Sequence, residues 1–193
     1  TEAAPLLAYE DWWDFAPKSC GKAVDSVEVR IDSEDPRNKV GEIQARGNSI
    51  MSGYYKNEEA TAAAFTEDGW MRTGDLGVID AAGNIFIRGR SKNMILSANG
   101  QNIYPEEIEA VINNQDYVIE SVVVDRGASL VALVYVDGDK LTADGLNLDE
   151  QMALMRTAVN AEMPAYSKIS KVEVMDQPFE KTPKMSIKRF MYK

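Results

Sequence analysis

The side chains best placed to act together on a ligand are Asp75, Arg90 and Lys92, within the stretch TGDLGVIDAAGNIFIRGRSKN that runs from Thr73 to Asn93. The stretch reads as a tight acidic turn, two short alternating strands and a basic turn. A hairpin folded about Ala81-Ala82-Gly83 would bring Asp75 and Arg90 to the same end of two paired strands. There a carboxylate could accept two hydroxyls at once, as from a ribose diol. The guanidinium could donate to the same sugar or to a nearby phosphate. A plainer arrangement accounts for the same residues, with Asp75 as a turn former and Asp75–Arg90 as a salt bridge. Residues 181–193 hold a second basic group, Lys181, Lys184, Lys188, Arg189 and Lys193, with no acid among them, and a solvated tail is its plain account. A lysine delivered from such a segment could neutralise charge developing on a phosphate.

The remaining composition narrows the chemistry. The 193 residues include no histidine and one cysteine, Cys20. Ser-His-Asp catalysis and most zinc sites are thereby excluded. Cys20 has no imidazole to activate it, and a loop or core thiol is its simplest account. A single cysteine forms no internal disulfide and fits a reducing cytoplasm. Catalysis would have to use carboxylates, lysine, arginine, backbone amides or a bound Mg2+. A net charge of −10 argues against nonspecific nucleic-acid binding. With 45% hydrophobic and 27% charged residues, the composition is that of a soluble globular chain. No apolar run approaches the ~20 residues that span a bilayer, which leaves only peripheral membrane contact open. The chain starts at Thr1 with no signal peptide, and a piece of something longer is expected.

The elements that must position these residues can be read from periodicity. VEVRID (27–32) and GEIQARG (41–47) alternate as strands, joined by the turn-forming DSEDPRNK. NEEATAAAF (57–65) reads as a short helix, and LGVID and NIFIRG as the hairpin strands. NMILSA reads as a strand. In YPEEIEAVINN, Pro105 suits the first helical position, Glu106 and Glu107 suit the positive end of the dipole, and Ile108, Val111 and Ile112 form the apolar stripe. ESVVVD and SLVALVYV are apolar strands. Asn147 with Glu150 resembles a capping box opening a helix to about Glu162, with Leu148, Met152, Met155 and Val159 as its core stripe. ISKVEVMD is a last strand before the basic tail. The first ninety residues are mostly β and the rest is α+β, with the boundary near Arg90–Asn93.

Several motifs, in order along the chain, resemble those of the adenylate-forming enzymes, the superfamily of acyl-CoA synthetases, nonribosomal peptide adenylation domains and firefly luciferase. Thr1-Glu2 resembles the end of a Y-G-x-T-E motif, and GEIQARGNSIMSGYYKNEEAT a G-E-x-x-x-x-G…G-Y segment. GWMRTGDLG resembles G-W-x-x-T-G-D-x-G. GRSKNMILSANGQNIYPEEIE resembles the hinge motif, and EKTPKMSIKRF the lysine-bearing C-terminal motif. The resemblance implies that Glu2 holds Mg2+ and Thr1 touches the adenylate phosphate. It implies that Asp75 binds the ribose hydroxyls, Arg90 contacts the ribose, and Lys92 is the hinge about which a C-terminal domain swings. Gly100 would lie in a loop that passes the pantetheine arm of coenzyme A. Where the family usually carries its catalytic lysine, four residues after Thr182, this sequence has Ser186; Lys188 and Lys184 flank it, and Lys188 is the preferred candidate. Asn93 stands where the hinge motif commonly has Asp.

The resemblance therefore implies an α+β chain. Residues 1–90 would be the β-rich, distorted barrel-like remnant of the large N-terminal domain. Residues 91–193 would be a mobile C-terminal α+β domain with a three-stranded sheet and flanking helices. The implied activity is that of an AMP-forming fatty-acid–CoA ligase using ATP, Mg2+ and coenzyme A, with long-chain substrates favoured by the NIYPEEIE and TP…IKR segments. This stretch alone is expected to be inactive. Loading of a carrier protein, or non-catalytic adenylate binding, are the alternatives.

Overall fold

Alternation of apolar and polar side chains builds the first sheet. The computed structural model describes residues 2–192 apart from Ala128. The chain divides into two units, residues 1–92 and 93–193. In the first, β1 (Ala8–Tyr9) and β2 (Lys22–Ala23) form a small antiparallel pair. β3 (Val27–Asp32), β4 (Gly41–Gly47), β5 (Met71–Ile79) and β6 (Ile85–Arg90) form a four-stranded antiparallel meander in the order β3-β4-β5-β6. β3 and β6 are the outer strands of this sheet. Ile31, Ile43 and Ile85 form its buried cluster, with Val29 and Ile79 packed alongside.

The helix α1 (Glu58–Ala64) enters between β4 and β5, its first turn capped by Asn57, whose side chain accepts from Ala60 N at 3.0 Å. The hairpin that carries the candidate residues is fixed at its far end by Asp80. Its carboxylate accepts from the Asn84 side chain at 2.8 Å and from the backbone N–H of Asn84 and Ala82. The side-chain bond from Asn84, then the backbone bond, holds the Asp80 carboxyl below the ordinary range. The Arg30 side chain, followed by Thr66, does the same for Asp68. For both, the folded value lies below the unfolded one of about 3.8. Their stabilisation is therefore present above that pH and is lost as pH falls through the depressed values. An acid titration followed by chemical shifts of Asn84 and Trp70 is expected to show these contacts intact at pH 5 and failing only below about pH 4. Failure already between pH 7 and 5 would contradict the assignment.

The second unit opens with a short hairpin, β7 (Ile95–Leu96) and β8 (Asn102–Ile103), and continues through α2 (Pro105–Asn113). β9 (Val118–Asp125) and β10 (Leu130–Val136) pair antiparallel. α3 (Gly138–Ala143) and α4 (Leu148–Glu162) then cross over to β11 (Lys171–Val174), which lies parallel to β10. The sheet order is β11-β10-β9. Both faces of this sheet are covered, which is why its strands read as near-continuous apolar runs. On one face Val123, Ala132 and Val134 meet Ile108 and Ile112 of α2 and Met152, Met155 and Val159 of α4. On the other, Val122, Val124, Val131 and Leu133 are covered by Phe179, Ile187 and Tyr192 from the C-terminal segment. The Asn147 side chain accepts from Glu150 N at 3.1 Å, the capping contact that starts α4.

The basic run at the end of the chain is accordingly no solvated tail. Phe179 is 3% exposed and meets the Tyr192 ring edge-on at 5.0 Å between centroids. Glu120 accepts from the Phe179 amide at 2.9 Å and pairs with Lys181 at 2.5 Å. Among the described residues no helix is long and apolar enough to cross a membrane.

Candidate functional site

The TGD segment lies within β5, not in a turn ahead of it. Arg72 pairs with Gln44 and Leu76 with Glu42, so Thr73, Gly74 and Asp75 together face the single residue Ile43. This is a bulge, a local excess of residues in one strand that bends it and re-aims its side chains. The bulge is braced from within. Thr73 Oγ1 donates to Ile43 O at 2.7 Å and accepts from Asp75 N at 3.1 Å. Gly74 N donates to Glu42 Oε1 at 3.2 Å, and Glu42 also holds Arg72 at 3.0 Å. Gly74 has φ +72, a left-handed conformation that a side chain would strain.

On its other edge β5 pairs with β6, where Asp75 stands directly opposite Arg90 and the register shifts between Leu76 and Gly77. The two side chains form an ion pair at 2.7 Å, half-buried on the Asp75 side and exposed on the Arg90 side. The salt bridge expected as the plainer arrangement is thus present. It uses one oxygen of a carboxylate that offers about four acceptor positions in all. Both residues line an open cleft of about 390 Å3 whose wall also includes Glu2, Tyr54, Arg72 and Thr73. Tyr54 Oη lies 3.4 Å from Glu2 Oε1. Three of the candidate residues, Glu2, Asp75 and Arg90, therefore border one space. Sequence reading passed over Tyr54 and Arg72 as members of that wall; the GYY and WMRTGD segments carried them without a spacing that marks them.

Thr1 lies outside the described residues, as does Lys193 of the basic run. Glu2 is exposed. Among the described residues no group of three or more His, Cys, Asp or Glu side chains could hold a metal by itself. A single carboxylate on a cleft can nevertheless contribute to a Mg2+ site, since that ion is commonly held by one or two carboxylates plus substrate phosphates.

The other candidates fall in separate places. Lys92 is exposed in a single 3-10 turn, Ser91–Asn93, where the boundary between the two units falls in sequence. Gly100, with φ +79 and no atom within 4 Å of a Cβ built on it, occupies the turn between β7 and β8. That turn is closed by Gly100 N to Ser97 O at 2.9 Å and Ser97 N to Gln101 O at 2.9 Å. The turn alone is reason enough for glycine there. Lys184, Ser186 and Lys188 belong to a small hairpin in which Lys181 bridges to Ile187. Thr182 N donates to Ser186 O at 2.8 Å and Met185 N to Thr182 O at 2.9 Å. Lys184 is exposed at the tip, while Lys188 is partly covered and pairs with Glu180 at 3.5 Å.

Comparisons with known proteins give the family. The model of the AMP-binding enzyme C-terminal domain matches residues 92–192. The chain is 31% identical over 212 aligned positions to the long-chain-fatty-acid–CoA ligase FadD15 of Mycobacterium bovis, covering 98% of this chain and 34% of that protein. It is 43% identical over 107 residues to the nonribosomal peptide synthetase btyA of Aspergillus terreus, covering 52% of this chain and 11% of that protein. Its fold superposes with a TM-score of 0.82 and 25% identity on the o-succinylbenzoate coenzyme A synthetase of Bacillus subtilis in complex with AMP, covering 100% of this chain and 39% of that one. In each case the chain spans well under half of the relative's own length. The chain belongs to the adenylate-forming, AMP-binding enzymes, the family of the acyl-CoA synthetases, and carries their C-terminal domain.

Proposed function

We propose that this chain serves as the C-terminal part of an AMP-forming acid–thiol ligase that activates a long-chain fatty acid and transfers it to coenzyme A. The observation that carries the reading is the braced Asp75–Arg90 pair set on the wall of one cleft with Glu2. In this reading a substrate carboxylate oxygen attacks the α-phosphorus of ATP. Pyrophosphate leaves, and an acyl-adenylate remains. The sulfur of coenzyme A then attacks the acyl carbon, and AMP leaves as the thioester forms.

The chain's own groups divide the labour. The Asp75 carboxylate accepts from the ribose hydroxyls, with Arg90 turning from Asp75 toward the sugar. Glu2 would hold Mg2+, which when bound offsets phosphate charge. Thr1 contacts the adenylate phosphate. Lys188, or Lys184 at the hairpin tip, supplies the positive charge that Ser186 does not. Lys92 is the hinge for a change of arrangement between the two half-reactions, and the Gly100 turn then lies along the pantetheine arm.

Loading of a carrier protein is the second reading, supported by the 43% identity to a nonribosomal peptide synthetase. One assay separates the two. In the full-length enzyme with ATP, Mg2+ and a series of carboxylic acids, AMP release is expected to depend on coenzyme A and to be greatest with long-chain fatty acids. Pyrophosphate exchange with no response to coenzyme A would favour the carrier protein, and a preference for aromatic or short acids would overturn the substrate assignment.

A further inference from the structure

Five polar groups within the second unit form one connected chain. Asn93 Nδ2 donates to Glu106 Oε1 at 2.6 Å. Glu106 Oε1 lies 3.8 Å from Arg189 Nη2. Arg189 grips Glu109 with both arms of its guanidinium, Nη1 to Oε1 at 2.7 Å and Nη2 to Oε2. Glu109 Oε1 also accepts from Val123 N, in β9, at 2.6 Å. The group starts one residue after Lys92. It ends one residue after Lys188 and three after Ser186, in the segment that carries both candidate catalytic lysines.

Its placement is more than a surface ion pair. The Glu109 side chain is 8% exposed and that of Arg189 is 20% exposed. Burial pushes the Glu109 carboxyl upward, against the pull of Arg189. The forked contact fixes the direction of Arg189 as a lysine could not. Asn93 also gains a reason for standing where the hinge motif commonly has Asp: its amide donates to Glu106, and a carboxylate there would face another carboxylate.

We propose that Arg189 is a positioning residue that, clamped by Glu109 and joined through Glu106 to Asn93, ties the tail hairpin to the segment following the hinge so that both move as one body. The inference rests on the ligase reading for its functional consequence, though the clamp itself does not.

Arg189→Met alone would strand the buried Glu109 charge and mix misfolding with mispositioning. The cleaner variant is Glu109→Gln/Arg189→Met, since Gln can still accept from Val123 N and a neutral replacement of a buried pair is often tolerated. Two readouts are needed. In the 193-residue chain, hydrogen exchange at the Thr182 and Lys188 amides is expected to speed up at least about tenfold in the double variant, with α4 amides unchanged. In the full-length enzyme, pyrophosphate exchange is expected to fall about 10²-fold, the scale on which small misplacements act. Thioester formation from supplied acyl-adenylate and coenzyme A is expected to change little, and Arg189→Lys should recover part of the exchange activity.

Unchanged tail amides would overturn the clamp. Equal loss of both half-reactions, in step with a lowered melting temperature, would reduce it to a structural contact and overturn the positioning role. So would unchanged pyrophosphate exchange. If the wild-type enzyme formed no adenylate with any acid, the ligase reading would fall, and the amide exchange would still decide the clamp.

Discussion

Asp75→Ala in the full-length enzyme is expected to lower kcat/KM for ATP in pyrophosphate exchange by about 10²-fold. The magnitude follows from two hydrogen bonds to a charged acceptor, each worth roughly tenfold or more when its partner is lost. The fold should survive, because the bulge is braced by Thr73, Glu42 and Gly74 backbone contacts rather than by the Asp75 carboxylate. The loss should lie mainly in KM for ATP. KM for the acid should move little. Circular dichroism and the melting profile serve as controls, and unchanged ATP kinetics would remove Asp75 from the nucleotide site.

Lys92→Pro is expected to divide the two half-reactions. Proline fixes φ near −65° and also restricts Ser91 before it. The 3-10 turn at Ser91–Asn93 is compatible with such a φ at position 92 itself, so the turn should be retained at the cost of some strain at Ser91. What proline blocks is departure from it. Pyrophosphate exchange should stay within about threefold of wild type, while coenzyme A-dependent thioester formation should fall about 10²-fold or more. Equal loss of both would contradict the hinge role.

Much of this architecture was legible because it is written in local periodicity. VEVRID and GEIQARG fold as strands over the residues that alternation marks out, and the Asn147 cap starts its helix where the spacing places it. The departures arise where a local pattern meets a tertiary one. TGD has turn-forming residues, yet three paired strands hold it as a bulge within β5. NMILSA has apolar content for a strand, but only Ile95 and Leu96 find a partner, in β8. The helix α3 is six residues long, too short for periodicity to reveal, and rests on the Asp137 cap.

The candidate site divides in the same way. The hairpin alone was enough to predict that Asp75 and Arg90 would end up side by side. Glu2 reaches their cleft through contacts that no spacing encodes: Met51 N donates to Glu2 O and Ala4 N to Ser49 O. The tail is the clearest case. Its run of cations reads as solvated because the acids that hold it are remote, Glu109 lying 80 positions from Arg189. Charge patterning along a chain does not reveal partners that only the sheet and helix bring near.

Binding of the nucleotide ribose in the Asp75–Arg90 cleft is the step on which the proposed role of this chain depends. Its most direct test is a cycle of pyrophosphate-exchange measurements with ATP and 2′,3′-dideoxy-ATP, in wild type and in Asp75→Ala. Loss of both hydroxyls is expected to cost the wild-type enzyme about 10²-fold in kcat/KM and the variant almost nothing, since the acceptor is already gone. An equal penalty in both enzymes would place the ribose elsewhere and remove Asp75 from the nucleotide site.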